Sequence, residues 1–348
     1  MNYRTSSTQQ TMSGYVDAIA NLPSEAFLGN LVYFTISQAD VDLEKARAEL
    51  IRLGLSTATL RKNLRPVDAF NKATREFGHK FHTVNGIRTE ILVRPVGTDE
   101  EQVHRQLIRE RTVIEQGKMR RLSYEKVGDL TFTRGDKTKG VYSGFGVQAQ
   151  QTTGALETDL TTEEENWLDA RFSELNYRFD HLLHFMDSHG VRTFVREFIY
   201  NLSGICVRES GGLYFVRQAH SVETAKIQGW VRSINSEFHS LPLLNLTEQR
   251  DMILQAFEDE TIAEVERLMG EIGKILAAQD RTIEPKTFDA YGVRASELAA
   301  KVGEYNGMLG ARADRASIEI DLFTKQILNL ASRVRETTPP PRAQGIPK

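Results

Sequence analysis

From Glu49 to Leu64 the sequence has the grammar of two helices joined by a tight turn. Gly54 suits the turn's backbone, Ser56 caps the second helix, and Leu53, Leu55 and Leu60 are placed to lock one helix on the other. A helix–turn–helix of this kind leaves Thr57, Thr59, Arg61 and Lys62 free for bases and phosphates, with Arg65 for the nucleic-acid backbone. Two positions depart from the pattern: Leu50 stands where close helix contact favours Ala, and Asn63 where an apolar residue is favoured. The plainer reading of the same residues is an αα-turn packed on a sheet.

Other constellations point to weaker chemistry. A helix over Val191 to Leu202 running into a hairpin over Cys206 to Val216 is how a winged helix is built, with Arg192, Arg196, Arg208 and Arg217 available to phosphates. Asp180, His184 and Asp187 share a helix face near His181 and His189, yet no HExxH pattern and no cysteine partner accompanies them, so polar decoration of the helix competes with metal ligation. Gly140 to Gly146 is glycine-rich but lacks the Gly-Lys-Ser/Thr ending of a phosphate loop. Cys206 with His220 as base rests on residue types alone, and an apolar strand around Cys206 predicts a buried, inert thiol. No nucleophile elbow, kinase set or dinucleotide fingerprint occurs, so the expectation is no cofactor, no metal and no catalytic residue.

The charge around these residues is unevenly laid out. The chain of 348 residues has a net charge of -3, but residues 51–150 hold 19 Lys and Arg against 11 Asp and Glu, and residues 151–300 hold 14 against 25. A basic first half raises the expectation of an anionic partner; alternatively, basic and acidic faces meet within one molecule. A single cysteine, Cys206, removes an internal disulfide framework and agrees with a reducing compartment. No apolar run approaches the roughly 18 residues of a membrane span, and the polar start is unlike a secretory signal, so a cytoplasmic protein is expected.

The elements that must position these residues fall into two expected domains. Residues 1–13 and 337–348, the latter Pro-rich, read as disordered. Residues 14–148 read as a basic α+β domain. It has a strand at 31–36, a helix at 38–53 capped by Ser37, a short helix at 57–64 and a helix from Pro66 bearing Val67, Phe70, Ala73 and Phe77 on one face. A hairpin turns at Asn85-Gly86, and further strands at about 102–114, 129–134 and 140–148 complete a small antiparallel sheet. Residues 149–161 read as a linker. Residues 162–336 read as an elongated acidic helical domain, coiled-coil-like, with a small α/β tip at about 188–246. Leu168, Phe172, Leu175, Phe179, Leu182 and Met186 form a seam expected to pack against two long C-terminal helices separated near Gln279 to Lys286. In the second of these, the 4-3 spacing is broken by a stutter around Arg312 to Ile320. A helix is also expected near 221–238.

Three stretches, Val32 to Ser37 leading into the Asp40 helix, Arg65 to Phe70, and Gly211 to Val216, resemble an uncharacterised prokaryotic family found in actinobacteria, archaea and their phages. The resemblance implies a cytoplasmic prokaryotic or viral setting and transfers no catalytic residue. The function expected from the residues is a non-enzymatic interaction protein. Residues 51–150 would contact nucleic acid, and residues 247–336 would mediate self-association or hold a protein partner. A scaffold without nucleic-acid affinity, and a hydrolase built from dispersed carboxylates, are the alternatives.

Overall fold

The computed structural model describes residues 22–37, 39–75, 77–115, 118–138, 141–143, 146–151, 160–208, 212–277, 285–310 and 313–337. The two ends expected to be disordered lie outside these residues, apart from Thr337. Along the chain run β1 (Phe27–Thr35), β2 (Asp40–Asp42), α1 (Leu43–Arg52), α2 (Pro66–Arg75), β3 (His79–Lys80), β4 (Ile87–Thr98), β5 (Gln102–Glu115), β6 (Lys118–Thr133), β7 (Asp136–Thr138), β8 (Val141–Ser143) and β9 (Gly146–Gln151). Next come α3 (Thr162–His184), β10 (Phe185–Asp187), α4 (Ser188–Asn201), β11 (Ile205–Arg208), β12 (Leu213–Arg217), α5 (Ser221–Ser233), β13 (Glu237–Leu244), α6 (Thr247–Ala277), α7 (Pro285–Leu309) and α8 (Asp314–Thr337). Helices and antiparallel sheets make this an α+β protein.

The chain forms two units whose boundaries differ from the expected ones. A meander unit comprises Gln38–Arg52 and Ser56–Val191, and a helical unit comprises Met1–Ser37, Leu53–Leu55 and Arg192–Lys348. Strand β9 runs through the first residues of the expected linker at 149–161, of which residues 152–159 lie outside the described residues.

In the meander unit five antiparallel strands lie in the order β3-β4-β5-β6-β9. The expected hairpin is present: Asn85 and Gly86 both adopt positive φ, 52° and 75°, which the tight turn between Val84 and Ile87 requires. On one sheet face Ile91, Val103, Leu107, Leu130 and Phe132 join Ala69, Phe70 and Ala73 of α2 and Leu168, Leu175, Phe179 and Leu183 of α3 in a single core. A bulge where β6 passes Leu107 and Ile108 inserts Val127, which is also buried in that core. Helix α3 starts at a capping box, Thr161 with Glu164, and its seam covers this sheet instead of joining the C-terminal helices. An apolar seam specifies burial and leaves the partner open. The helix expected over 38–53 begins only at Leu43, with β2 ahead of it. Asp42 is the cap, its Oδ1 accepting from the backbone N–H of Glu44 and Lys45, whereas the Ser37 N–H donates to Ser236 Oγ.

In the helical unit four antiparallel strands lie in the order β11-β12-β1-β13. Strand β13 stands where the helix expected over 221–238 has already ended at Ser233. Pro242 and the polar Glu237, His239 and Ser240 disguise it, and β13 is an edge strand, where proline is tolerated. Gly29 on the central β1 faces β12 so closely that an added Cβ would lie 2.1 Å from the Val216 carbonyl oxygen. Gly29→Ala must push β12 away and is expected to destabilise by about 1–3 kcal/mol or more. A urea midpoint equal to wild type would refute that close approach.

Three helices, not two, bury their stripes against this sheet. Ile253, Phe257, Val265 and Ile272 of α6, Leu298, Val302 and Tyr305 of α7, and Ala316, Ile320, Phe323 and Ile327 of α8 share a core with Leu28, Ile205 and Phe215. The expected second long helix breaks where its spacing stutters. Gly310 takes φ 61°, Asn306 Oδ1 accepts from the Ala313 N–H at 2.7 Å, and α8 starts one residue on.

Candidate nucleic-acid interface and a polar cleft

Residues 57–64 form no second helix, so the helix–turn–helix reading is corrected at its centre. One turn closes from the Leu60 N–H to the Thr57 carbonyl, and Ser56 Oγ accepts from the Ala58 N–H, a local bond that competes with helix. The Arg61 guanidinium points inward and donates to the carbonyls of Leu182 at 3.2 Å and Phe185 at 2.8 Å, at the C-terminal end of α3. Burial draws its pKa below the ordinary guanidinium value. Thr59 Oγ1 is buried, and Arg65 pairs with Asp68 at 2.6 Å. Of the five expected contacts Lys62 and Arg65 are exposed, and Thr57, Thr59 and Arg61 are half-buried.

The sheet they flank has a better surface. Both α2 and α3 pack on one face of β4-β5-β6, and register places four cross-strand rows on the other. These are Arg88-Thr112-Arg121, Glu90-Glu110-Tyr124, Leu92-Ile108-Lys126 and Arg94-Gln106-Asp129. Three ion pairs tie the rows together: Arg88 with Glu90 at 3.1 Å, Lys126 with Asp129 at 2.6 Å, and Arg121 with Glu110. The Arg121 guanidinium also lies 4.8 Å from the centre of the Tyr124 ring. Arg94, Arg121 and Tyr124 are exposed, and His104 and Thr131, 3.2 Å apart, continue the polar face. Cations spaced about an exposed ring can hold phosphates while a base stacks. None of these residues belongs to the helical pattern expected to read DNA; the alternation Arg88, Glu90, Leu92, Arg94 was the available signal.

Arg217 pairs with Glu304 at 2.8 Å, and β11-β12 is an integral part of the four-stranded sheet, so this hairpin is no free wing. His181 bonds Asp40, His184 lies 3.2 Å from Asp180, and Asp187 Oδ1 accepts from the Gly190 N–H. Among the described residues no group of three or more His, Cys, Asp or Glu is arranged to hold a metal ion. Cys206 is half-buried, not fully buried as expected. The glycine-rich stretch 140–146 falls partly outside the described residues.

Helices α6 and α7 and the end of α4 enclose a cleft of about 630 Å³ lined by Tyr200, Glu260, Glu264, Arg294, Glu297 and Lys301. Its charges are mutually satisfied. Lys301 Nζ donates to Glu260 Oε1 at 3.2 Å and to the Gly204 carbonyl at 3.1 Å, Glu260 also accepts from the Cys206 N–H, and Arg294 bridges Glu264 and Glu297. Burial pushes the Lys301 ammonium below its ordinary pKa and the Tyr200 phenol well above its own. Carboxylates do converge here, but as hydrogen-bond partners of cations and backbone. Among the described residues no helix is long and apolar enough to cross a membrane.

Residues 27–336 match the model of a family described as a family of unknown function, DUF6744. No curated protein and no solved structure gives a significant match.

Proposed function

We propose, for a chain that belongs to the DUF6744 family, a non-enzymatic role in which the meander unit binds single-stranded nucleic acid across the β4-β5-β6 face. The observation that supports this most is the row pattern: Arg88, Arg94, Arg121 and Lys126 share one sheet face with Tyr124, Arg121 lies against its ring, and Gln106 and Thr112 are neutral hydrogen-bonding groups on the same face. An antiparallel sheet with helices on one face and an aromatic on the other is a stacking platform, and a single strand can splay its bases over it. Duplex reading by an inserted helix has no support, since the recognition helix is missing. The single cysteine fits a reducing cell interior as the place of action.

The meander unit as a whole holds 23 Lys and Arg against 24 Asp and Glu, because the acidic α3 belongs to it, so long-range steering is not part of the proposal. Binding rests on local contacts and should be modest. The test is fluorescence anisotropy of the full chain with a labelled oligothymidine over a salt series. Tyr124→Ala is expected to weaken binding roughly 5- to 150-fold, the range of one lost stacking contact. Arg94→Ala/Arg121→Ala/Lys126→Ala is expected to flatten the salt dependence by about 2 units of log–log slope. Absence of binding at low salt, or binding indifferent to both variants, overturns the reading.

A further inference from the structure

Helix α8 has two stripes. Ala316, Ile320, Phe323 and Ile327 are buried in the helical unit's core. On the opposite side Ile318, Asp321, Lys325 and Leu328 recur at spacings of three, four and three, and all four are exposed, Ile318 at 59% and Leu328 at 64%. That spacing is the seam of a helix pair, 3.5 residues per repeat, on the side of α8 away from its own core. Leu322, 42% exposed, widens the apolar strip beside it. An exposed seam of this length with large aliphatic side chains at both ends fits a partner helix better than it fits water.

The order of residues along the seam selects the partner. Read outward from Phe323, the inner positions are Asp321 and Lys325, two residues to either side, and the outer positions are Ile318 and Leu328, five to either side. The seam is therefore self-complementary about a two-fold axis. Set antiparallel against a second copy, Ile318 meets Leu328 and Asp321 meets Lys325, each pair occurring twice. Set parallel, Asp321 would face Asp321 and Lys325 would face Lys325, which like-charge repulsion disfavours.

The geometry points to a homodimer formed by antiparallel pairing of two α8 helices through Ile318, Asp321, Lys325 and Leu328. Two central ion pairs set orientation and register, and the flanking aliphatic pairs supply the burial. Arg315 is directed elsewhere, toward Glu258 and Asp259 of α6, and does not compete for Asp321.

Sedimentation velocity of the full chain over a concentration series tests this. Wild type is expected to shift from monomer to dimer. Lys325→Glu, which sets an acid opposite Asp321, is expected to raise the dimer dissociation constant at least about tenfold, while Asp321→Lys/Lys325→Asp restores wild-type association. An equal mixture of Ile318→Cys chains and Leu328→Cys chains should form a disulfide-linked dimer between unlike chains, which neither chain forms alone. A strictly monomeric wild type, a dimer unmoved by Lys325→Glu, or cross-linking of Ile318→Cys to itself overturns the proposal. Circular dichroism of each variant separates lost association from lost folding. Tyr124→Ala leaves sedimentation unchanged, so the failure of nucleic-acid binding and the failure of dimerisation are read apart.

Discussion

Arg109→Ala is expected to destabilise the meander unit by about 3–5 kcal/mol, the cost of stranding a buried charge whose partner has been removed. The guanidinium is 2% exposed beneath the start of α3, where Nη1 donates to Glu164 Oε2 at 3.1 Å and the opposite edge donates to Glu125. The Glu164 side chain is itself 4% exposed and also accepts from the Thr161 N–H as half of the capping box. Loss of Arg109 thus leaves a buried carboxylate and loosens the helix end that covers the sheet. Arg109→Met/Glu164→Leu, which removes both charges, should recover most of the loss, because desolvation of two charges offsets their attraction. The hydrogen bond from Arg109 is the main cause holding the Glu125 carboxyl below its ordinary pKa of 4.5. A depressed carboxylate contributes stability above its unfolded pKa and loses it as pH falls through the folded one. Wild type should therefore lose stability as pH drops below about 4.5, and Arg109→Ala should show a flatter profile there. Urea titrations at pH 7 and pH 4 measure both effects. A cost under about 1 kcal/mol at pH 7, the scale of a surface pair, would sink the argument.

That ion pair also shows where the linear charge pattern misleads. Residues 51–150 are basic and α3 is acidic, and the expectation of opposite fields in two domains followed from counting along the chain. Folding puts Arg109 against Glu164, and both segments into one nearly neutral unit. Acidic and basic segments meet within this one unit.

What was legible in the sequence is what local physics decides. Asn85-Gly86 announces a turn because those residue types tolerate positive φ, and Pro66 opens α2 because its ring suits a first helical turn. The stutter before Ile320 marked a discontinuity, although a full break between helices satisfied it and a supercoil adjustment did not. What was illegible depends on distant partners. Val32 pairs with Tyr214 on one side and Ser240 on the other, and no local pattern names strands so far along the chain. Residues 57–64 have adequate helical propensity, but Arg61 gains more from two carbonyls at the end of α3 than from staying on a helix surface. The β4-β5-β6 face was hidden for a related reason. Its residues come from three separate strands, and only the antiparallel register makes Arg88, Thr112 and Arg121 one row.

Phe257→Ala is expected to cost the helical unit about 3–5 kcal/mol, the range for emptying a buried aromatic site. Phe257 is fully buried on α6 and lies flat against Tyr305 of α7, with ring centres 4.2 Å apart and planes 5° from parallel. Tyr305 in turn meets the Phe215 ring edge-on at 6.5 Å and donates its hydroxyl to the Ser203 carbonyl at 2.8 Å. Burial drives the Tyr305 phenol far above its ordinary pKa, so it remains a neutral donor across the physiological range. Phe257 is thus the floor on which the tether to Ser203 rests. The next residues, Gly204 and Cys206, are held by Lys301 and Glu260 at the rim of the cleft. Removing Phe257 should unfold the unit more readily and also free this loop. Hydrogen exchange at the Cys206 amide should quicken in Phe257→Ala beyond what the global loss of stability requires, and Tyr305→Phe should quicken it too at a global cost of only about 1 kcal/mol. Equal protection of the Cys206 amide in wild type and Tyr305→Phe would show that the tether does not hold the loop. A urea-derived cost below about 1.5 kcal/mol for Phe257→Ala would mean that the ring stack is not the centre of this core.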